Sequence, residues 1–137
     1  MDPLNRFVRA QSSHYAQALA ELRAGRKTGH WTWFVLPQLR GLSRSATAHE
    51  YGIAGRAEAV AYLAHPLLGA RLHETVRAML AHANRPAASI LGDVDAMKFR
   101  SCLTLFDAVS GTPTNVFRQS LDAFYGGQPD PATLAML

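Results

Sequence analysis

Apolar positions recur with a helical period along most of the chain. Asp2-Pro3 suits a capped helix start, and Phe7, Gln11, Tyr15, Ala18, Leu19 and Leu22 then share one face until Gly25. Ser43 or Ser45 is placed to cap a short helix through Ala48 to Tyr51, and Arg56 to Leu63 forms another helical stretch. Pro66 opens a longer helix carrying Leu68, Leu72, Val76 and Met79/Leu80, which Asn84-Arg85-Pro86 breaks. Ala87 to Leu91 leaves room for a brief helix before Gly92. Asp93 is placed to cap a helix striped by Val94, Met97/Lys98, Ser101/Cys102, Leu105/Phe106 and Val109. After Gly111-Thr112-Pro113, Val116, Phe117, Leu121 and Phe124 mark a further helix stopped by Gly126-Gly127. Asp130-Pro131 then starts a terminal turn expected to dock Leu134 and Leu137. No alternating runs bounded by hairpin turns, no repeats and no heptads interrupt this pattern. The pattern predicts an all-α fold: one multihelical globular domain of about six helices over residues 1–137.

The stretch from Gly25 to Gly41 departs from the pattern. Pro37 pushes Leu36 out of the α region, so any helix there is short. Trp31 to Leu36 is the longest strongly apolar run, too apolar for a solvated loop and far too short to cross a bilayer. Trp33, inside that run, is expected to be core, with Trp33→Ala costing roughly 3–5 kcal/mol.

Composition narrows the class. Hydrophobic residues make up 48% and charged residues 18%, which is globular rather than disordered. The net charge is +4, carried by twelve arginines and only two lysines, Lys27 and Lys98. Arginine-rich chemistry points to anionic partners, but +4 with dispersed acids is thin for a surface that tracks phosphates, so nucleic acid is disfavoured. Cys102 is the single cysteine, which excludes an intramolecular disulfide and a cysteine-based zinc site. The first residues lack the apolar run of a signal peptide, so the expectation is a soluble protein of the reducing cytoplasm, with no membrane partner.

Two segments concentrate the chemistry. Between Glu21 and Glu50 no acid occurs, while Arg23, Arg26, Lys27, Arg40 and Arg44 flank His30, Trp31, Trp33 and Phe34. Cations around flat aromatics suit an anionic or nucleotide-like ligand, and His30 is the candidate general acid or base. A packed core flanked by solvated charges explains the same residues. In the second segment, Lys98 shares a helix face with Ser101 and Cys102 at the edge of the apolar stripe. Its stem can snorkel to water, or its ammonium can meet an anion in a pocket. Cys102 reads as a small core residue, and Asp93 and Asp95 as capping and helix-dipole residues. The six histidines form no HExxH or related motif, so no metal is implied, and no phosphate-loop or dinucleotide fingerprint implies a cofactor.

The run His30-Trp31-Thr32-Trp33-Phe34-Val35-Leu36-Pro37-Gln38-Leu39-Arg40-Gly41-Leu42, after Gly25-Arg26-Lys27, resembles a bacterial family catalogued as domain of unknown function 1810 (DUF1810). Tyr51-Gly52-Ile53, His65-Pro66, Asp95-Ala96-Met97-Lys98, Ser101 to Phe106 and Thr133-Leu134 extend the resemblance over nearly the whole chain. The chain departs at Thr32, where members commonly carry Met, and at Cys102, where Met or Ser is usual; both departures count against special roles there. The resemblance implies an all-α multihelical fold, no established activity, and distinctive polar positions at His30, Gln38, Lys98 and Ser101. Some members carry a calpastatin-like label, but inhibitors of that kind are long disordered chains and this composition is compact.

The sequence therefore leaves enzymatic activity undecided. The preferred expectation is a small-molecule pocket, able to support catalysis, lined by His30, Trp31, Trp33, Gln38, Lys98 and Ser101. The alternative is a protein-interaction module without activity, whose partner the sequence does not specify. The deciding geometry is whether His30, Gln38, Lys98 and Ser101 converge in one cavity.

Overall fold

The computed structural model describes residues 2–137. Ten helices are formed there: α1 (Asn5–Ser12), α2 (Tyr15–Ala24), α3 (Thr32–Val35), α4 (Ala46–Tyr51), α5 (Arg56–Ala64), α6 (Pro66–Leu80), α7 (Ala87–Leu91), α8 (Asp93–Val109), α9 (Val116–Tyr125) and α10 (Pro131–Met136). The protein is mostly helical, and among the described residues the only β-type pairing is an isolated parallel bridge between Leu39 and Ile53.

The expected count of about six helices is too low. The first predicted helix is two, because Ser12 and His14 turn side-chain groups onto the backbone: Ser12 Oγ donates to Arg9 O at 2.7 Å, and the His14 ring meets Ala10 O at 2.9 Å. Phe7 and Gln11 before the break, and Ala18, Leu19 and Leu22 after it, still face the core. The periodicity thus runs through the break and hides it. Gly25, at φ 74°, ends α2 in the left-handed conformation that glycine adopts without strain, and Arg26 N reaches back to Glu21 O at 3.0 Å.

α8 runs through the centre of the molecule, packed by α5, α7, α9 and α10. Ser101 to Phe106 are all buried, as expected of a helix segment covered on every side. At its N-terminal end, however, Val94 and Met97 are 66% and 73% exposed, so the predicted stripe is wrong there. The buried line is instead Ala96, Phe99, Leu103 and Phe106, which leaves Val94 and Met97 facing outward. Asp93 is not the cap either. Gly92 holds the cap position without a side-chain bond, and Asp93 is the first helical residue. Ser45 does cap α4, accepting from Ala48 N at 3.0 Å. In α10 the expected docking through Leu134 fails: Leu134 is exposed, while Thr133 is buried and Leu137 packs on the core.

An ion pair with backbone bonds beside it fixes α1 to α5 and to the end of α4. Arg6 holds Glu58 at 2.6 Å and also donates to the carbonyls of Glu50 and Gly52. Burial would raise the Glu58 carboxyl, but the bonds from Arg6 and Ala54 outweigh it and hold it below the usual range.

Candidate functional site

The segment after α2 is shaped by Glu21. Its carboxylate accepts from the backbone N–H groups of Thr28 and Gly29 at 2.8 and 2.9 Å and from the Trp31 indole at 2.9 Å. Desolvation opposes the charge, yet these bonds and one from Gln17 win, and the Glu21 pKa falls to about 2. Trp31 is thereby pinned in the core at 1% exposure. One turn of helix follows, ending at Leu36 before Pro37, and the chain then extends. Arg40 N donates to Ile53 O at 2.8 Å and Ile53 N to Gln38 O at 2.9 Å. Gly52 permits this approach, since a Cβ there would stand 2.6 Å from Arg40 Cα.

These constraints bring α3 and the 38–43 segment against the first turns of α8, where the two lysines meet. Lys27, 6% exposed, places its ammonium 2.8 Å from Asp95 Oδ2 and donates to Gly29 O. Lys98, 16% exposed, stands 3.9 Å from Asp95 Oδ1. Each ammonium lies over an indole, Lys27 over Trp31 at 5.0 Å and Lys98 over Trp33 at 4.5 Å. Asp95 is thus an ion-pair partner rather than only a helix-dipole residue, and Lys27 is buried rather than a solvated flank.

Lys98 borders two spaces. The outer one is a cleft of about 300 Å³ between the 38–43 segment, α8 and α10, whose walls include Gln38, Leu42, Val94, Met97, Ser101 and Asp130. The inner one is a chamber of about 10 Å³ among α3, α4 and α8, with Thr32, Trp33, Gln38, Ala48, Tyr51 and Lys98 on its walls. Gln38 and Lys98 belong to both. Among the described residues, two buried side-chain polar atoms have no hydrogen-bond partner, Thr32 Oγ1 and Trp33 Nε1, and both residues line the chamber.

Of the predicted site residues, the structure brings Gln38, Lys98 and Ser101 to the cleft and Trp33 to the chamber beside it. It does not bring His30, which is exposed and lines neither space, nor Trp31, which is buried on Glu21. Ser101 is engaged: its hydroxyl donates to Asp130 Oδ2 at 2.9 Å. The same oxygen accepts from Thr133 Oγ1 at 2.5 Å and Thr133 N at 3.2 Å, capping α10. Desolvation would raise the Asp130 carboxyl, but these bonds from Thr133 and Ser101 hold it below the ordinary range. Cys102 is fully buried, and burial pushes its thiol well above the usual value, which leaves it inert.

A larger, shallow groove of about 600 Å³ runs along α6 beside Arg23, Arg71, Glu74 and Arg77. Arg23 and Glu74 there are largely exposed and pair at 3.6 Å, so this face reads as solvated charge. Among the described residues no cluster of three or more His, Cys, Asp or Glu could hold a metal ion, and no helix is long and apolar enough to cross a membrane.

Comparison with known proteins places this geometry. The model of a family described as "Protein of unknown function (DUF1810)" matches residues 1–137. A crystal structure of the conserved hypothetical protein Rv1873 from Mycobacterium tuberculosis is similar at a TM-score of 0.92 and 46% identity. The similarity covers 99% of this chain and 98% of that one. None of the curated proteins matches the chain.

Proposed function

The chain belongs to the DUF1810 family, and we propose that it binds a small anionic molecule in the cleft between the 38–43 segment, α8 and α10. The observation that carries this reading is the state of Lys98. Its side chain is only 16% exposed, yet Asp95, its carboxylate neighbour among the described residues, stands beyond hydrogen-bond reach at 3.9 Å and is taken at 2.8 Å by Lys27. The ammonium has no direct hydrogen bond among the described residues and borders the cleft, where an anion would supply both the bonds and the opposite charge. Gln38 and Ser43 stand at the same wall, with the Gln38 amide donating to Ser43 Oγ at 3.1 Å. The volume lies at the lower end of the roughly 300–1,000 Å³ common for ligand pockets, which suits a small molecule. With Trp31 buried and an ammonium over Trp33, the geometry favours an anion over a stacked base. The reading is one of binding. His30 lies outside the cleft, and the Ser101 hydroxyl donates to Asp130, whose carboxyl is held below the ordinary range and is a weak base.

The test is thermal melting against a panel of small anions. A bound anion raises the melting temperature of the wild type by mass action, and Lys98→Met removes the shift while leaving the unliganded protein folded. The interaction-module reading has its own support in the exposed Val94 and Met97 at the cleft wall. Under that reading no small anion stabilises the wild type, and Met97→Ser rather than Lys98→Met abolishes association.

A further inference from the structure

Resting on the cleft reading, we infer that the ligand is a monocarboxylate with a short apolar body, one oxygen of which enters the inner chamber and accepts from Trp33 Nε1 and Thr32 Oγ1. The chamber sets the first half of this. Its roughly 10 Å³ is close to the 10–15 Å³ that one water-sized atom requires. The indole N–H is a donor only, and the Lys98 ammonium at the same wall is a donor only. An atom that meets these donors in the chamber must therefore accept hydrogen bonds. A carboxylate oxygen does so and also brings the charge that Lys98 lacks. Gln38 and Lys98 wall both spaces, and the route proposed for the carboxylate from the cleft into the chamber lies between those two side chains.

The cleft sets the second half. Leu42, Val94, Met97 and Ala132 line it, and Val94 and Met97 expose most of their surface. An apolar body laid along them removes that surface from water. The charges fix the valence. Lys98, Arg100 and Asp130 are the charged residues on the cleft wall, so two cations stand against one anion. Arg100 already donates to the carbonyls of Gln128 and Pro129 at 2.8 Å each. The surplus is one positive charge, which a monoanion neutralises and a phosphate dianion overshoots.

Sodium hexanoate is the probe, with 1-hexanol and inorganic phosphate as controls, measured by calorimetry on the full chain. Hexanoate is expected to bind the wild type and the controls are not. Thr32→Val removes one chamber donor and keeps the shape, and Trp33→Phe removes the other together with one ring, so each should weaken hexanoate by about tenfold. Thr32→Val should leave the unliganded melt unchanged or higher, and Trp33→Phe should lower it modestly. Lys98→Met should abolish binding. Should Trp33→Phe fail to fold, Thr32→Val alone decides. If hexanoate binds Thr32→Val and Trp33→Phe as it binds the wild type but is lost in Lys98→Met, the chamber assignment is overturned and the cleft reading stands. If phosphate or a nucleotide binds in place of hexanoate and depends on Lys98, the carboxylate class is overturned and the cleft reading again stands. If no anion binds the wild type, both fall.

Discussion

Lys27 holds its ammonium 2.8 Å from Asp95 Oδ2, and through that carboxylate the chain's two lysines and two tryptophans form one assembly. Lys27 closes the buried side over Trp31, and Lys98 is left over Trp33 with only a distant share of Asp95. The asymmetry makes one lysine structural and the other available.

Asp95→Asn strands the buried Lys27. Breaking a buried ion pair by removing one partner typically costs about 3–5 kcal/mol, and a loss in that range is expected in denaturant melts. Lys27→Met added to Asp95→Asn should recover part of it, giving a non-additive cycle. Additive losses would mean that the two residues do not depend on each other.

Trp31→Ala is expected to destabilise by roughly 3–5 kcal/mol, as for other buried aromatics, and Trp33→Ala by roughly half of that or less. Trp31 is 1% exposed and bonded to Glu21, whereas Trp33 is only partly buried. Equal denaturation midpoints for the two variants would contradict this order.

The tryptophans show where sequence reasoning stops. The apolar run from Trp31 to Leu36 announces a covered segment, but both indoles belong to it and nothing in the run says which one Glu21 will take. The helical faces of α2, α6 and α9 were legible because one side of each is buried and the period shows it. The first turns of α8 were not, because Val94 and Met97 are apolar yet outward-facing, and periodicity reads residue type rather than exposure. The polar positions Gln38, Lys98 and Ser101 were legible as candidates, and the fold brings them to one cleft. His30 was misplaced with them because its neighbour in sequence turns inward while it turns out. Lys27 and Asp95 lie 68 positions apart and carry no local signal of their pairing, apart from the rarity of lysine among the cations.

Acid should loosen the 28–31 segment before the rest. The Glu21 pKa is depressed from 4.5 to about 2 in the folded protein, so its contribution is fully present above about pH 4.5 and is lost as pH falls toward 2. Asp130 is shifted in the same direction and loses its bonds to Thr133 and Ser101 over the acid range as well. Glu21→Gln should flatten the dependence of the melting temperature on pH between about 5 and 2. A variant whose acid profile matches the wild type would remove Glu21 as the cause.

Asp130→Ala removes the cap of α10 and the partner of Ser101 together. A loss of about 1–2 kcal/mol is expected from the cap, with anion binding reduced far less than by Lys98→Met. Equal losses of binding in the two variants would place Asp130, not Lys98, at the anchoring position.

The most direct test follows the two indole N–H signals in a ¹H–¹⁵N spectrum. Trp31 Nε1 is bonded to Glu21 and Trp33 Nε1 is without a partner, so the two report separately on the core and on the site. Titration with hexanoate, and then with phosphate and a set of nucleotides, should move the Trp33 signal saturably for the anion that binds. The Trp31 signal should stay in place, and Lys98→Met should abolish the response. A Trp33 signal that no anion moves, or one that moves equally with Trp31, would contradict a Lys98-anchored site.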